Sequence, residues 1–340
     1  MYNIPELSSK STQFGDYALV NYKKHEQYSS LYRSVIFKNN KPVCFSPPKS
    51  ISYTDFCEKY PIKSIVVDEF IDGTMINMFY DKEISEWIIS TRSIVGAKCS
   101  FYSTKTFHEM FHETNIQYDI LNKNYCYSFV LQHPDNQIVA PITTPVLYLI
   151  AVYHISELGI SEVHSSNHCI TFFPIPTSYT FASYEEAETF VQQQPYTFKG
   201  VMLKSGGERS KIRNIGYETV KKLRGNSSNL LYTYLLIRAT PSQKEYEKYF
   251  PDQEFALYEK QISHLILSLH SLYIECFIKK KYPLKTYNQP FKHHLYELHM
   301  DYLHRLRQEK KWVSRHEVKK YVISLPPAVT VTLISTLSQN

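Results

Sequence analysis

No apolar run in these 340 residues is long enough to cross a bilayer; the longest, Val146 to Tyr153, falls far short of the ~20 residues a membrane helix needs. The N-terminal MYNIPELSSK also lacks the basic-then-apolar pattern of a secretory signal, so the expectation is an intracellular, cytoplasmic protein with no membrane partner. Six cysteines, at 44, 57, 99, 126, 169 and 276, show no CxxC or other metal-ligand spacing, which sets aside a disulfide framework and redox chemistry. Internal repeats and low-complexity tracts are missing too. A composition 43% hydrophobic and 21% charged excludes a disordered tail, and the length suits about two domains. Glycine is scarce, at 9 residues, whereas tyrosine reaches 29, giving many amphipathic rings that pack, hydrogen-bond or stack on bases.

Charge is distributed unevenly. Residues 1–194 carry 14 Lys/Arg against 20 Asp/Glu, residues 195–240 carry 9 against 2, and residues 241–340 carry 15 against 10. The net charge of +6 therefore hides a basic block from Lys199 to Arg238. A second block, Lys279 to Lys320, holds 12 bases against 4 acids. Phosphate-rich partners are the natural inference, with solvated helix faces as the plain alternative, above all for the second block.

The pattern of residues predicts an α+β domain over 1–235 followed by an all-helical domain over 236–340. YRSVIFKNNKPVCFSPPKS reads as a hairpin around Asn39-Asn40. Strands at Ser64–Val67 and Thr74–Tyr80 flank the Asp72-Gly73 pair as another meander with Glu86–Thr91. A helix follows the Ser/Thr-rich start at residues 100–106, then strands at Tyr125–Leu131, Ile138–Val139 and Val146–Tyr153. Ser183 and Glu186 mark a helix N-terminus. FKGVMLKSGGERSKIRN is a hairpin turning at Ser205-Gly206-Gly207, and helices at Phe255–Tyr282 and Leu295–Trp312 pack antiparallel.

Five short patterns in order resemble one family. They are Arg33-Ser-Val-Ile-Phe with its hairpin and Pro47-Pro48-Lys49; Glu69-Phe70-Ile71-Asp72-Gly73-Thr74 with Arg92 downstream; Phe129-Val130-Leu131 with Pro134-Asp135-Asn136-Gln137-Ile138-Val139; Lys199-Gly200-Val201-Met202; and Lys211-Ile212-Arg213. Together they resemble the nucleotide-binding core of the bacteriophage RNA ligases and their covalent nucleotidyltransferase relatives, including proteins of large DNA viruses. The resemblance covers roughly residues 30–225. It implies an antiparallel-sheet nucleotidyltransferase domain, ATP and Mg2+ as cofactors, and nucleotide or RNA as partner. Its nucleotide- and phosphate-binding positions fall on Arg33, Lys49, Glu69, Asp72, Gly73, Arg92, Lys204, Lys211 and Arg213. Those ligases also end in an all-helical domain.

Three departures matter. The family's lysine that takes up AMP corresponds to Phe70, a strand glutamate to Val130, and a metal-binding glutamate to Lys199. A phenyl ring cannot attack an α-phosphate, and an ammonium competes with a divalent cation instead of holding it. Lys63 and Lys98 are the nearby candidates for a displaced nucleophile. The hairpin alternation places Lys211 and Arg213 on one face, with Lys199, Val201 and Leu203 on one side of the partner strand and Gly200, Met202 and Lys204 on the other. Lys221, Lys222 and Arg224 are RNA-contact candidates, although cations near a helix C-terminus are also favoured by its dipole. Whether Asp72 meets a ribose or caps the turn before Gly73 is open, the turn being preferred.

The expectation is thus an RNA-ligase-like protein that binds nucleotide or RNA phosphates in viral RNA processing or a virion, without covalent lysine adenylylation. An active ligase with a displaced lysine, and a structural virion or interaction protein with viral protein partners, are the alternatives. His108-Glu109-Met110-Phe111-His112 formally fits the zinc motif HExxH but lacks a third ligand at the usual spacing, and His293, His294, His299 and His304 share no face with a completing carboxylate; no metal site is expected.

Overall fold

The computed structural model describes residues 1–7, 11–22, 32–163, 172–251 and 255–338, so Cys169 lies outside the described residues. Two compact units divide the chain, Met1–Ser228 and Asn229–Asn340. The break falls a few residues ahead of the expected 235/236, because Gly225, at φ +77°, ends the last helix of the first unit in a left-handed cap. No helix among the described residues is long and apolar enough to cross a membrane.

In the first unit β1 (Ser11–Phe14), β2 (Tyr17–Asn21), β3 (Ser34–Lys38) and β4 (Lys41–Phe45) precede α1 (Tyr53–Lys59) and β5 (Val66–Glu69). Next come β6 (Thr74–Asp81), β7 (Glu86–Ser90), α2 (Phe107–His112), β8 (Tyr125–Gln132), β9 (Val146–Ser156), β10 (Gly159–Glu162) and β11 (Ser178–Tyr179). The unit closes with α3 (Tyr184–Gln193), β12 (Gly200–Ser205), β13 (Glu208–Arg213) and α4 (Ile215–Arg224). These strands make three antiparallel sheets, ordered β1-β2-β3-β4, β10-β9-β8-β6-β7 and β11-β5-β12-β13.

The first hairpin turns where expected: Asn39 and Asn40 both have positive φ, 50° and 59°, which only a few residue types tolerate and which matches the strand twist. Three expectations need correction. The strands flanking Asp72-Gly73 do not form a meander, since β5 belongs to the third sheet and β6 to the second; residues 70–73 are a crossover between sheets. The helix after the Ser/Thr-rich stretch is only Phe107–His112, fixed by a capping box between Thr106 and Glu109. Ile138–Val139 is a bend, not a strand, after a 3-10 turn at Pro134–Asn136.

Alternation along β6 explains how the layers meet. Ile76 and Met78 point to a core closed by Phe107, Met110 and Phe111, while Phe79 points to the first sheet, against Val35, Phe37 and Phe45. Asn77 shares that second face; it donates to Ser46 Oγ at 2.7 Å and accepts from Ser128 Oγ at 2.8 Å, a buried polar rung that fixes register. On the third sheet Val67, Val201, Leu203 and Ile212 bury themselves against Phe56 of α1 and Ala187 and Val191 of α3. At roughly 1.5–3 kcal/mol for each fully buried large apolar side chain, the helices hold this face. The opposite face remains for polar groups.

The second unit is helical: α5 (Leu230–Ile237), α6 (Pro241–Tyr249), α7 (Phe255–Tyr273), α8 (Gln289–Asp301), α9 (Arg315–Ser324) and α10 (Pro327–Leu337). Ile262, Leu265, Leu269 and Tyr273 on α7 pack with Leu295 and Leu298 on α8, Val318 and Val322 on α9, and Leu333 on α10. Both expected long helices end early in π-helical turns, Ile274–Ile278 and Tyr302–Leu306. His299 stacks on Phe277 at 3.9 Å, and His294 is buried with its Nδ1 2.6 Å from the Tyr321 hydroxyl.

Candidate functional site

The hairpin β12–β13 carries the site. Register pairs Gly200 with Arg213, Met202 with Lys211 and Lys204 with Arg209, so Arg209, Lys211 and Arg213 project from the face opposite the α1–α3 core. Lys199 departs from the expected alternation. Gly200, at φ +135°, turns the chain at the strand's start, and the Lys199 ammonium lies 4.2 Å from the centre of the Phe70 ring, with Lys211 Nζ at 5.9 Å from the same ring. Lys199 therefore joins the cationic face instead of the side of Val201 and Leu203.

Phe70 stands on the crossover, where its N–H donates to the Gly200 carbonyl at 2.9 Å. One strand earlier, alternation separates Asp68 from Glu69. Asp68 meets Lys204 in a 2.8 Å ion pair on the polar face; Glu69 turns away, its N–H on the Thr177 carbonyl, and burial pushes its carboxyl up. Gly73 is the point of closest approach: a Cβ there would stand 2.5 Å from the Leu131 carbonyl oxygen and 2.7 Å from Val130 Cγ1. Val130 thus packs against the crossover where the family has a carboxylate.

Asp72 is neither a turn cap nor exposed. Buried to 4% exposure, its Oδ1 accepts from the Tyr217 hydroxyl at 2.5 Å and lies 3.5 Å from Lys199 Nζ, while Oδ2 accepts from the N–H groups of Val139 and Ala140 at 3.2 and 3.4 Å. Burial and the Asp72 charge push the Tyr217 phenol up, so it remains a donor. Burial holds the Lys199 ammonium below its usual range, with Lys221 and Arg213 adding to the effect and Asp72 opposing it. Burial also brings Lys211 down to about 8, helped by Arg213, Arg209, Arg33 and Lys199.

A second tier of cations is arginine. Arg33 is half-buried and brought down to about 10 by burial and by the nearby charges of Arg209 and Arg92. Arg92 is exposed, whereas Arg209 is only 8% exposed and its buried Nε has no acceptor. Among the described residues no carboxylate lies within ion-pair distance of Arg33, Arg92, Arg209 or Lys211. Arg209 also lines a cleft of about 500 Å³ between the third sheet and β9, together with Tyr2, Asp68, Tyr153, Glu162 and Lys204. That volume is ordinary for a small-molecule site.

The structure brings together Arg33, Arg92, Lys199, Lys211, Arg213, Phe70 and Asp72. Lys49 sits beside Ser50, which bridges to Arg209. Arg213 is paired with Glu218 at 2.7 Å. Lys221 lies close enough to Lys199 to influence it, Lys222 is exposed, and Arg224 is buried with its guanidinium 4.6 Å over the Tyr102 ring. Lys63 and Lys98 are exposed or in a surface turn, and the ammonium groups over Phe70 are those of Lys199 and Lys211. Sequence reasoning missed Arg209 and Tyr217. Arg209 continues the i, i+2 alternation of Lys211 and Arg213, a usable signal; nothing in sequence ties Tyr217 to Asp72.

Divalent metal fits poorly here. The oxygens of Asp72 are already occupied by four donors, and no group of three or more His, Cys, Asp or Glu among the described residues is placed to hold an ion. His108 and His112 stack edge to face at 4.5 Å, but His108 Nδ1 is 3.0 Å from the Gly96 carbonyl oxygen and Glu109 closes the Thr106 capping box.

No family model matches the chain. By sequence it is similar to an RNA ligase of Rhodothermus phage RM378, 31% identical over 144 residues, 38% of this chain and 31% of that protein. It is similar also to an immediate-early protein ICP-46 homologue of Invertebrate iridescent virus 6, 27% identical over 286 residues, covering 75% of this chain and 61% of the relative. The corresponding homologue of Invertebrate iridescent virus 3 is 27% identical over 185 residues, 51% of this chain and 40% of the relative. The chain thus spans less than two thirds of the length of these curated relatives. Among solved structures, a putative ATP-dependent DNA ligase from Aquifex aeolicus matches with TM-score 0.45 and 13% identity over 71% of this chain and 66% of that one. An archaeal ATP-dependent RNA ligase matches with TM-score 0.42 and 11% identity over 72% and 68%. The sequence relatives place the chain in the RNA ligase and ATP-dependent ligase (nucleotidyltransferase) superfamily.

Proposed function

We propose that this homologue of a phage RNA ligase binds nucleotide or RNA phosphates in its cationic cradle, in viral RNA processing or in a virion, and forms no lysine adduct at position 70. One observation carries the reading: Lys211, Arg33, Arg92 and Arg209 gather beside a nucleotide-sized cleft with no carboxylate in ion-pair distance. ATP fits this donor set, its phosphates meeting the cations; any Mg2+ would arrive on the phosphates, since the protein offers it no carboxylate cluster. When bound, the metal would offset phosphate charge.

The test is salt-dependent retention of a short RNA and of ATP. RNA affinity should fall steeply with ionic strength, and Lys211→Ala with Arg213→Ala should weaken it and lower the salt slope by about two, one for each lost phosphate contact. Retention should also decline as pH rises through about 8, because Lys211 then sheds its proton and one cation is lost. Unchanged retention in the double variant counts against the cradle.

A second reading is favoured by the position of Lys199. Its amine lies over the ring at position 70, delivered from the neighbouring strand, and burial favours its neutral, nucleophilic form. In this reading the Lys199 Nζ lone pair attacks the α-phosphorus of a nucleoside triphosphate. The N–P bond forms as the P–O bond to the β-phosphate breaks, pyrophosphate leaves with the electron pair, and the amine's surplus proton passes to Asp72. Incubation with α-labelled ATP or GTP and magnesium decides it. Label that stays on the denatured chain, is released by mild acid as a P–N bond requires, and disappears in Lys199→Arg supports the relocated nucleophile. An unlabelled wild-type chain removes it and leaves the binding reading standing.

A further inference from the structure

We propose that Arg209, with Arg33 and Arg92, is a clamp for a triphosphate group, carried by a free nucleotide or by the 5′ end of an RNA. The inference deepens the phosphate-binding reading and rests on it. Arg209 is more than nine-tenths buried, yet its Nε has no acceptor and no carboxylate pairs with it. Buried guanidinium groups normally sit in forked hydrogen bonds to anions, because the desolvation they suffer is otherwise uncompensated. Here the local anions are committed or distant. Asp68 in the same cleft is held by Lys204 at 2.8 Å, Glu208 by Lys59 at 2.8 Å, and Glu162 faces Arg209 from beyond ion-pair distance.

The three arginines differ in exposure. Arg209 is buried, Arg33 half-buried and Arg92 exposed, so the charges run from floor to rim. They stand close enough that Arg33 feels both of the others, and Lys211 feels Arg33 and Arg209. Four mutually repelling cations with no internal counterion call for a ligand that concentrates several negative charges in a few ångströms. A triphosphate does so. A phosphodiester backbone carries one charge per nucleotide, and a floor-level guanidinium cannot follow it along a strand. The fork geometry of arginine also suits non-bridging oxygens better than a lysine's point charge does.

The experiment is calorimetric titration of the full chain with ATP, AMP, inorganic tripolyphosphate, and one short RNA bearing either a 5′-triphosphate or a 5′-monophosphate. The expected result is a preference of about tenfold or more for triphosphate over monophosphate in at least one pair, with tripolyphosphate competing. Preference in the ATP–AMP pair assigns the free nucleotide; preference in the RNA pair alone assigns the RNA end. Arg209→Met should reduce the preference to about twofold or less, whereas Lys211→Ala should weaken both members of a pair. Should Arg209→Met fail to fold, the exposed Arg92→Gln is read instead and should lower the preference by about threefold. Binding of monophosphate and triphosphate with equal strength overturns the clamp while leaving phosphate binding intact. Binding of none of the five probes overturns both.

Discussion

Replacing Asp72 by alanine is expected to destabilise the first unit by about 3–5 kcal/mol, the range for removing one partner of a buried ion pair. Four donors converge on this carboxylate: the Tyr217 hydroxyl, the N–H groups of Val139 and Ala140, and the Lys199 ammonium. Its loss leaves an ammonium with a 12% exposed side chain, whose remaining polar contact is the Ile71 carbonyl at 3.3 Å, and a phenol with no acceptor. Asp72→Asn keeps the acceptor oxygen and loses the charge, so it should cost less. Adding Lys199→Met to Asp72→Ala should recover part of the loss, because the unpaired charge goes with it; the difference measures the coupling. The chain has two tryptophans, Trp87 in the first unit and Trp312 in the second. Urea unfolding followed with Trp312 replaced by phenylalanine therefore reports on the first unit. A change below about 1 kcal/mol for Asp72→Ala would show that the four contacts do not hold the site.

Gly200→Ala should be nearly as damaging, at about 3 kcal/mol or more. The residue adopts φ +135°, a region in which an L side chain is strained by roughly 1–3 kcal/mol, and its Cβ would stand 2.0 Å from the Ile212 carbonyl oxygen and 3.0 Å from Arg213 Cα. Both contacts are backbone of the paired strand, so relief requires the hairpin to open at the end that carries Lys199 and Arg213. The effect should register twice: as a melting temperature lowered by roughly 6–12 °C, and as loss of phosphate retention even at temperatures where the chain stays folded. Gly15→Ala is the control, since a Cβ there meets nothing within 4 Å. Equal behaviour of the two variants would mean that the close approach at Gly200 is relieved at little cost.

Local signals were the readable part of the sequence. Asn39-Asn40 and Gly206-Gly207 name their turns because each needs positive φ at consecutive residues. Ser183 accepts from the Glu186 N–H as a helix cap should, although the Glu186 carboxylate reaches back to the Ala182 N–H instead of Ser183. Sheet membership was not readable at Asp72-Gly73, because an Asp-Gly pair between two strand-like runs reads equally as a hairpin turn or a crossover. The choice was made by Val130 and Leu131, which close on Gly73 from β8, 57 and more residues along the chain. In the site, alternation was enough to place Lys211 and Arg213, and its extension would have found Arg209. It misplaced Lys199, since a glycine in the left-handed half of φ space breaks the two-residue period. Tyr217 was out of reach, as its partner lies 145 residues away.

The carboxylate at 72 is a shared anchor for three segments that no strand pairing joins: the crossover, the bend at 138–140 and the first turns of α4. Rupture at one of them therefore slackens the other two. Amide exchange at Val139 and Ala140, far from any cation in sequence, becomes a gauge of whether the Lys199 amine is still tied down.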